Sequence, residues 1–518
     1  MQSPFLNWLS NLYKEDPASG ICVIIYLLAL AFYIICNPTS GPNDKFLKKQ
    51  QYKFSHPPIP KKMRFKKRPD ICFGYDKKTK SYVGANIKDS NNNSSLIFGG
   101  SGSGKTKGII IPNILMNIKN GVSFLTLDLK MDIYKATVNP NNPSIMKNVI
   151  VINPHDPNTY AFDCLYRIRG KKKNDYALIK STFTDIARCL ISVSGSDPHW
   201  GISSRSLFVT LCMIYYLESP DEATLPLIIE KIRSDKISEK INTTFEQTEI
   251  PLLKQLASAH YKINDDTFSS LVSNLNESLD AFLGNPAISI IMGNGKKRFN
   301  PTFLNKKRPC YVYLCINNDE LEELAPCLNT MFTLTIQELN RRPEGSRPVE
   351  IILDEYGRLL SAQKQQGGKS IIAVLIRDLA STGRSRNITC ICCTQSYSSL
   401  FDGYDDNELN SLIANFSYVA SLDVKDSDGR DFFKKICGKK NFKIYNWSTK
   451  SSGGYSKSVR YEQRDVVDEF FLQTLHNRLE CILINSYSGF AIFNRCAYFE
   501  DPDKKMAQIV AENEKLNK

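Results

Sequence analysis

Residues 94–113 read SSLIFGGSGSGKTKGIIIPN. Gly99, four residues, Gly104, Lys105 and Thr106 fit the pattern G-x-x-x-x-G-K-[ST], whose glycines let backbone N–H groups turn toward phosphate oxygens. Leu96, Ile97 and Phe98 before the loop and the apolar run behind it predict strand, turn and helix. The helix N-terminus then adds its positive end to a cradle of Gly99, Gly100, Ser101, Gly102, Ser103, Gly104, Lys105 and Thr106. Lys105 is suited to the outer phosphates and the Thr106 hydroxyl to Mg2+. ATP is preferred to GTP because no N-K-x-D stretch, which would read guanine, is present.

A second constellation comes much later. In VEIILDE the apolar Val349, Ile351, Ile352 and Leu353 run into Asp354 and Glu355. A buried strand ending in two acids is the usual partner of a phosphate loop. Asp354 would hold Mg2+ through water, and Glu355 would orient and polarise the attacking water. Gln395 ends the strand ITCICCTQ with an amide able to sense a γ-phosphate or position water. Arg384 and Arg386 precede that strand, and either could reach a neighbouring subunit's nucleotide. The sequence leaves open which.

These residues need a scaffold that brings distant strand ends together. Apolar, β-branched segments recur as SYVGANI at 81, LIF at 96, VSFLTLD at 122 and VIVINP at 149. CYVYLCIN at 310, VEIILDE, ITCICCTQ, YVASLD at 418, CILINS at 481 and FAIFNR at 490 follow. Helical patterns alternate with many of them. The prediction is an α/β, RecA-like P-loop domain with a mainly parallel sheet and helices on both faces, split into 81–159 and 305–500. Residues 160–304 lack convincing strands and read with helical period, which predicts an inserted all-α domain. Its run 207–217, LFVTLCMIYYL, is too short to span a bilayer and reads as a buried helix. Residues 501–518 read as a charged tail, solvated or a frayed helix.

The chain of 518 residues suits two or three domains. Its net charge is +14, and residues 41–70, with ten Lys or Arg against two Asp, supply +8 of it. That cluster follows ICVIIYLLALAFYIIC, residues 21–36, which carries no charge. A helix of that length covers about 24 Å against a core of about 30 Å, and its flanks nearly close the gap. The expectation is an outward-facing 1–20, a single transmembrane anchor at 21–37 and a basic linker at 38–80. The linker's lysines and arginines place the bulk of the chain in the cytoplasm, on the inner membrane. Basic excess also suits nucleic acid. Fifteen cysteines are spread along the chain, and with five scattered histidines they suggest buried free thiols and no structural metal.

These pieces in this order resemble a type IV coupling protein, the TraG/TraD-type ATPase of conjugation and type IV secretion. The resemblance runs from about residue 80 to about residue 500. It includes GGSGSGKTKGIIIPNIL, LTLDLKMDIY, VIVINP, DPHWGISSRSLFVTL, LDEYGRL and STGRSRNITCICCTQSYSSLFDGY, and near the end YEQRDVVDEFFLQTL. One departure is plain. The family usually shows D-x-K-G-E after the second strand, and here Asp128, Leu129, Lys130, Met131 and Asp132 lack the glycine. Many members also have two membrane spans, against one here. The resemblance implies a membrane-anchored homohexamer that hydrolyses ATP with Mg2+ at subunit interfaces. Its cargo would be single-stranded DNA with an attached relaxase, or secreted proteins, passed to type IV secretion channel components. An FtsK/HerA-type DNA translocase is an alternative, against which the long helical insert counts. A protein-only secretion ATPase shares the same engine, and a non-catalytic scaffold is disfavoured by the intact Lys105, Thr106, Asp354 and Glu355.

Overall fold

The computed structural model divides into two compact units, residues 1–57 and 58–518. Of the first it describes Asp16, Val23 and Ile25; of the second, all but 87–93, 171–173, 194–197, 283–284, 295–296, 365–369, 450–454, 487–488 and 518. The expected outward segment and the anchor at 21–37 therefore lie outside the described residues, those three positions apart. Among the described residues no helix is long and apolar enough to cross a membrane.

In chain order the described strands are β1 (Arg64–Phe65), β2 (Ile71–Asp76), β3 (Ser81–Ala85), β4 (Ser95–Phe98), β5 (Ser123–Asp128), β6 (Val149–Ile152), β7 (Tyr160–Phe162) and β8 (Lys297–Phe299). They continue as β9 (Tyr311–Cys315), β10 (Val349–Leu353), β11 (Ile388–Thr394), β12 (Tyr418–Ser421), β13 (Lys439–Thr449), β14 (Tyr455–Asp465), β15 (Glu480–Asn485) and β16 (Gly489–Asn494). Twelve form one sheet in the order β1-β3-β2-β16-β15-β12-β4-β11-β10-β5-β9-β6. Every pair from β12 to β6 is parallel. Every pair from β12 back to β1 is antiparallel. Strands β4, β5, β10 and β11 are buried along their whole length. Their near-continuous apolar runs are what a parallel sheet covered on both faces requires.

The longer helices are α1 (Ile111–Asn120), α2 (Asp132–Thr137), α3 (Tyr176–Leu190), α4 (Pro198–Glu218), α5 (Leu225–Ser234), α6 (Ile237–Gln247), α7 (Pro251–Ser258) and α8 (Asp265–Ser278). After β9 come α9 (Ala325–Asn340), α10 (Tyr356–Lys364), α11 (Ile371–Thr382), α12 (Asp406–Asn415), α13 (Ser427–Cys437), α14 (Glu469–Thr474) and α15 (Lys505–Leu516). Helices α3 to α8 fall between β7 and β8, and the run 207–217 lies buried in α4. Thirteen described cysteines are free and buried.

Three segments differ from expectation. The sheet starts within the stretch read as linker, because β1 and β2 precede residue 81. Arg68, amid the basic cluster, is buried against Asp501, with Nη2 2.7 Å from the carboxylate. The stretch 160–304 is not wholly helical: β7 and β8 pair in parallel at the two ends of the helical excursion. Strands of three residues are too short to show a period. The tail is a docked helix rather than a solvated one. Val510 and Asn513 of α15 are buried, and Asn513 Nδ2 donates to the Ala136 carbonyl at 2.9 Å. Asn517 Nδ2 donates to the Val138 carbonyl at 2.7 Å. Val510 packs with Ile111 and Ala136, and the amides satisfy open carbonyls at the end of α2, so one apolar residue and two amides dock a helix whose sequence reads as a charged tail.

Candidate nucleotide site

The parallel strands direct their following loops to one edge, and the motif residues meet there. After β4 the chain turns through Gly102 at φ 76° and Gly104 at φ 93°, a region costly for any other residue. Lys105 is buried, and its Nζ donates to the carbonyls of Gly99 and, at 3.4 Å, Gly100. The helix then opens with one π-turn, Thr106–Ile110, in which Ile111 N donates to the Thr106 carbonyl. Pro112 explains the widening: it has no N–H for the Gly108 carbonyl, and its ring would strike that carbonyl in a regular helix. Asn113 accepts from Cys72 N at 3.0 Å and so ties α1 to β2.

Strand β10 ends at Leu353 beside this turn. Thr106 Oγ1 donates to Asp354 Oδ2 at 2.6 Å. Asp354 Oδ1 is buried and has no hydrogen-bond partner among the described residues. Burial pushes this carboxyl up to about 6, with the Thr106 hydroxyl pulling the other way. A hydroxyl and a half-satisfied buried carboxylate, side by side at the mouth of a phosphate cradle, suit a hard divalent cation. Strand β11 lies between β4 and β10, so its end faces both. Gln395 Nε2 donates to Glu355 Oε2 at 3.3 Å. The glycine of LDEYGR lets these elements close up, since a Cβ on Gly357 would stand 2.6 Å from Thr394 Oγ1.

The turn after β5 completes the site. Asp128, also pushed up to about 6 by burial, accepts from Tyr134 N at 2.8 Å and Lys130 N at 3.3 Å. Met131 stands at φ 55°. The left-handed turn is kept although the glycine is not.

Residues 58–518 match the family described as "Type IV secretory system Conjugative DNA transfer". The chain belongs to this family. It is 26% identical to Protein VirD4 of Rhizobium radiobacter over 161 residues, 30% of this chain and 22% of that protein. The VirD4 of Agrobacterium fabrum aligns equally, so the chain spans about a fifth (22%) of the curated relatives it matches. Plasmid coupling protein TrwB, solved with ADP and Mg2+, superposes with a TM-score of 0.55 at 15% identity, over 79% of this chain and 86% of that one. TrwB with the ATP analogue ADPNP gives 0.56 at 15% identity, over 84% and 96%. At such identities the likeness shows the conjugative coupling-protein fold.

Within that fold the sequence-predicted residues divide into two groups. The structure brings Lys105, Thr106, Asp354, Glu355 and Gln395 together. Arg384 and Arg386 sit in the turn Gly383–Arg386, before β11 begins, at the opposite edge of the sheet. Seven residues of strand put roughly 23 Å between them and Gln395. Arg384 is exposed, whereas Arg386 is half-buried next to Arg342. Three residues were missed. Asp423 and Lys425, just past β12, crowd Gly100 of the cradle and lie 3.4 Å apart. Arg495 Nη1 donates to the Ser103 carbonyl. They stand more than 300 residues from the cradle in no motif, and only pairing of β12 with β4 hints at the first two.

Proposed function

We propose that the chain is a membrane-anchored ATPase that drives relaxase-bound single-stranded DNA, or protein substrates, into a type IV secretion channel. The observation that carries this is the Thr106–Asp354 contact, which joins the phosphate cradle to the acid-tipped strand with one carboxylate oxygen unsatisfied. Thr106 and Asp354 would hold Mg2+, which when bound neutralises charge on the phosphate oxygens. Lys105 and the loop N–H groups bind and orient the phosphates of ATP. Glu355 holds and polarises the attacking water, and Gln395 fixes the Glu355 carboxylate from the neighbouring strand. TrwB, solved with ADP and Mg2+, supports this assignment of ligands.

Arg384 cannot serve its own nucleotide from the far edge of β11. It is free to serve the next subunit's in a head-to-tail ring, a homohexamer in our reading. The single span at 21–37 would fix that ring to the inner membrane, with the sheet in the cytoplasm. An FtsK/HerA-type translocase is disfavoured by the helices between β7 and β8 and by the family match.

The test is ATP hydrolysis by the full chain in detergent, with and without single-stranded DNA, across a salt series. DNA-stimulated turnover that fades with salt is the expected result. Turnover indifferent to DNA would replace DNA by protein cargo. Turnover no higher than that of Lys105→Ala would remove the ATPase assignment.

A further inference from the structure

Between α13 and α14 the chain makes a feature that the nucleotide site does not use. Strands β13 and β14 pair only with each other, through eleven residue pairs from Lys439↔Asp465 to Thr449↔Tyr455. A two-stranded ribbon is marginal by itself, so its length calls for a purpose. Its strands carry six Lys or Arg (439, 440, 443, 457, 460, 464) and two acids, Glu462 and Asp465. Opposed residues share a face and alternate residues share a side. The register therefore puts Tyr445, Trp447, Tyr455 and Tyr461 on one face, together with Lys443 and Lys457. One acid lies on the opposite face and the other shares this face only at its end. Glu462 belongs to the other face, 3.1 Å from Arg464, and Asp465 is at the base opposite Lys439. Where the side chains are described, the aromatic face is open: Tyr461 is 67% exposed and Val459 45%.

We propose that this face of the β13–β14 ribbon is a stacking platform for single-stranded DNA. Aromatic rings interleaved with lysines bind a strand by base stacking and backbone charge, with no need for sequence readout. Rings two residues apart along a strand are about 7 Å apart, close to the spacing of successive nucleotides in an extended single strand. The anionic partner is chosen by the charge of the face. The inference rests on DNA being the cargo.

The experiment measures binding of a labelled oligothymidine by the full chain in detergent, by anisotropy, over a salt series. The variants are Trp447→Ser with Tyr461→Ser, and Lys443→Gln with Lys457→Gln. The aromatic pair should weaken binding by about tenfold per residue. The lysine pair should weaken it and flatten the log–log salt slope by about 0.7 per lysine. Basal ATP turnover should stay within about twofold, which marks an intact fold. If either pair fails to fold, Tyr461→Ser alone serves, because that ring is already in water. Wild-type binding that all variants match would overturn the platform and leave the DNA reading standing. So would variants that lose binding to anionic phospholipid vesicles but keep the oligothymidine. No binding by the wild-type chain even at low salt would remove the DNA cargo and the platform together.

Discussion

One sheet carries two kinds of structure. From β12 to β6 the strands are parallel, so the loops after β4, β5, β10, β11 and β12 all leave at one edge. Lys105, Thr106, Asp128, Asp354, Glu355 and Gln395 collect there. From β15 to β1 the strands are antiparallel, successive loops leave at opposite edges, and no such collection can form. That half braces instead. Arg495, just past β16, holds the Ser103 carbonyl of the cradle. Arg68 and Tyr82 hold Asp501, with Tyr82 Oη 2.5 Å from the carboxylate, which fastens the start of this unit to the segment that enters α15. A group that must meet substrate belongs in the parallel half, and a group that must keep its neighbour still can sit in either.

The largest effect should come from the parallel half. Glu355→Gln should lower ATP turnover roughly 10²- to 10⁴-fold while nucleotide binding persists, since only the polarising carboxylate is lost. Binding by equilibrium dialysis and turnover by phosphate release separate the two. Arg495→Met should act mainly through KM. A turnover loss as large as that of Glu355→Gln, in a chain of unchanged melting temperature, would break the division between the halves.

The braces should show in stability. Asp501 is almost fully buried and takes both Arg68 Nε and Nη2. Asp501→Asn leaves a buried guanidinium without its counter-charge, which costs about 3–5 kcal/mol. Denaturant unfolding measures it. A loss under about 1 kcal/mol would mean the pair is solvated enough to be replaced by water.

The same division decides what could be read from sequence. Strands β4, β10 and β11 were legible because a buried parallel strand is an unbroken apolar run, and each ends on motif residues. Strand β1 was hidden in a basic stretch, because the carboxylate that pairs with Arg68 lies over 400 residues away, and β2, though apolar, was read as part of the same linker. Helix α15 was hidden because a single buried valine, Val510, and two amides dock it, too little to show as an apolar stripe. The β13–β14 ribbon was hidden because its charged and aromatic residues show no strict alternation of apolar and polar positions. For the arginines, the sequence offered Arg384 and Arg386 as equals, and only burial tells them apart.

The pH dependence of the site follows from burial. Asp354 is raised from its ordinary value of 3.8 to about 6, so the folded chain favours its protonated form. The sign is fixed by linkage: this group's stabilising effect is full below about 4 and is lost as pH rises through about 6. A cation needs the carboxylate, so Mg2+ affinity should rise over the same window, up to tenfold per pH unit. The extra melting temperature given by Mg2+ with ADPNP should be small at about pH 5 and near its maximum by about pH 7. Asp354→Asn should flatten that profile. Asp128, raised in the same direction, makes no bond to Thr106 and should leave a profile behind if it, rather than Asp354, were the titrating group.

The smallest effect tests the turn that the family builds with glycine. Met131 holds a left-handed conformation, φ 55° and ψ 12°, at the start of α2. Its side chain packs partly against the main core and comes 3.6 Å from Asn153 Nδ2. A residue with a Cβ pays about 1–2 kcal/mol for that backbone, and the packing of the long, flexible methionine offsets part of it. Met131→Gly removes both terms and should change stability little. Met131→Val keeps the backbone strain, worsens it by branching at Cβ, and loses reach. The two variants should therefore differ by roughly 1–2 kcal/mol in favour of glycine, read as a difference in urea midpoint at equal slope. Equal midpoints would mean that the segment from Asp128 to Tyr134 relaxes out of the left-handed turn. Asp128 would then lose the two backbone N–H groups that hold it beside the site.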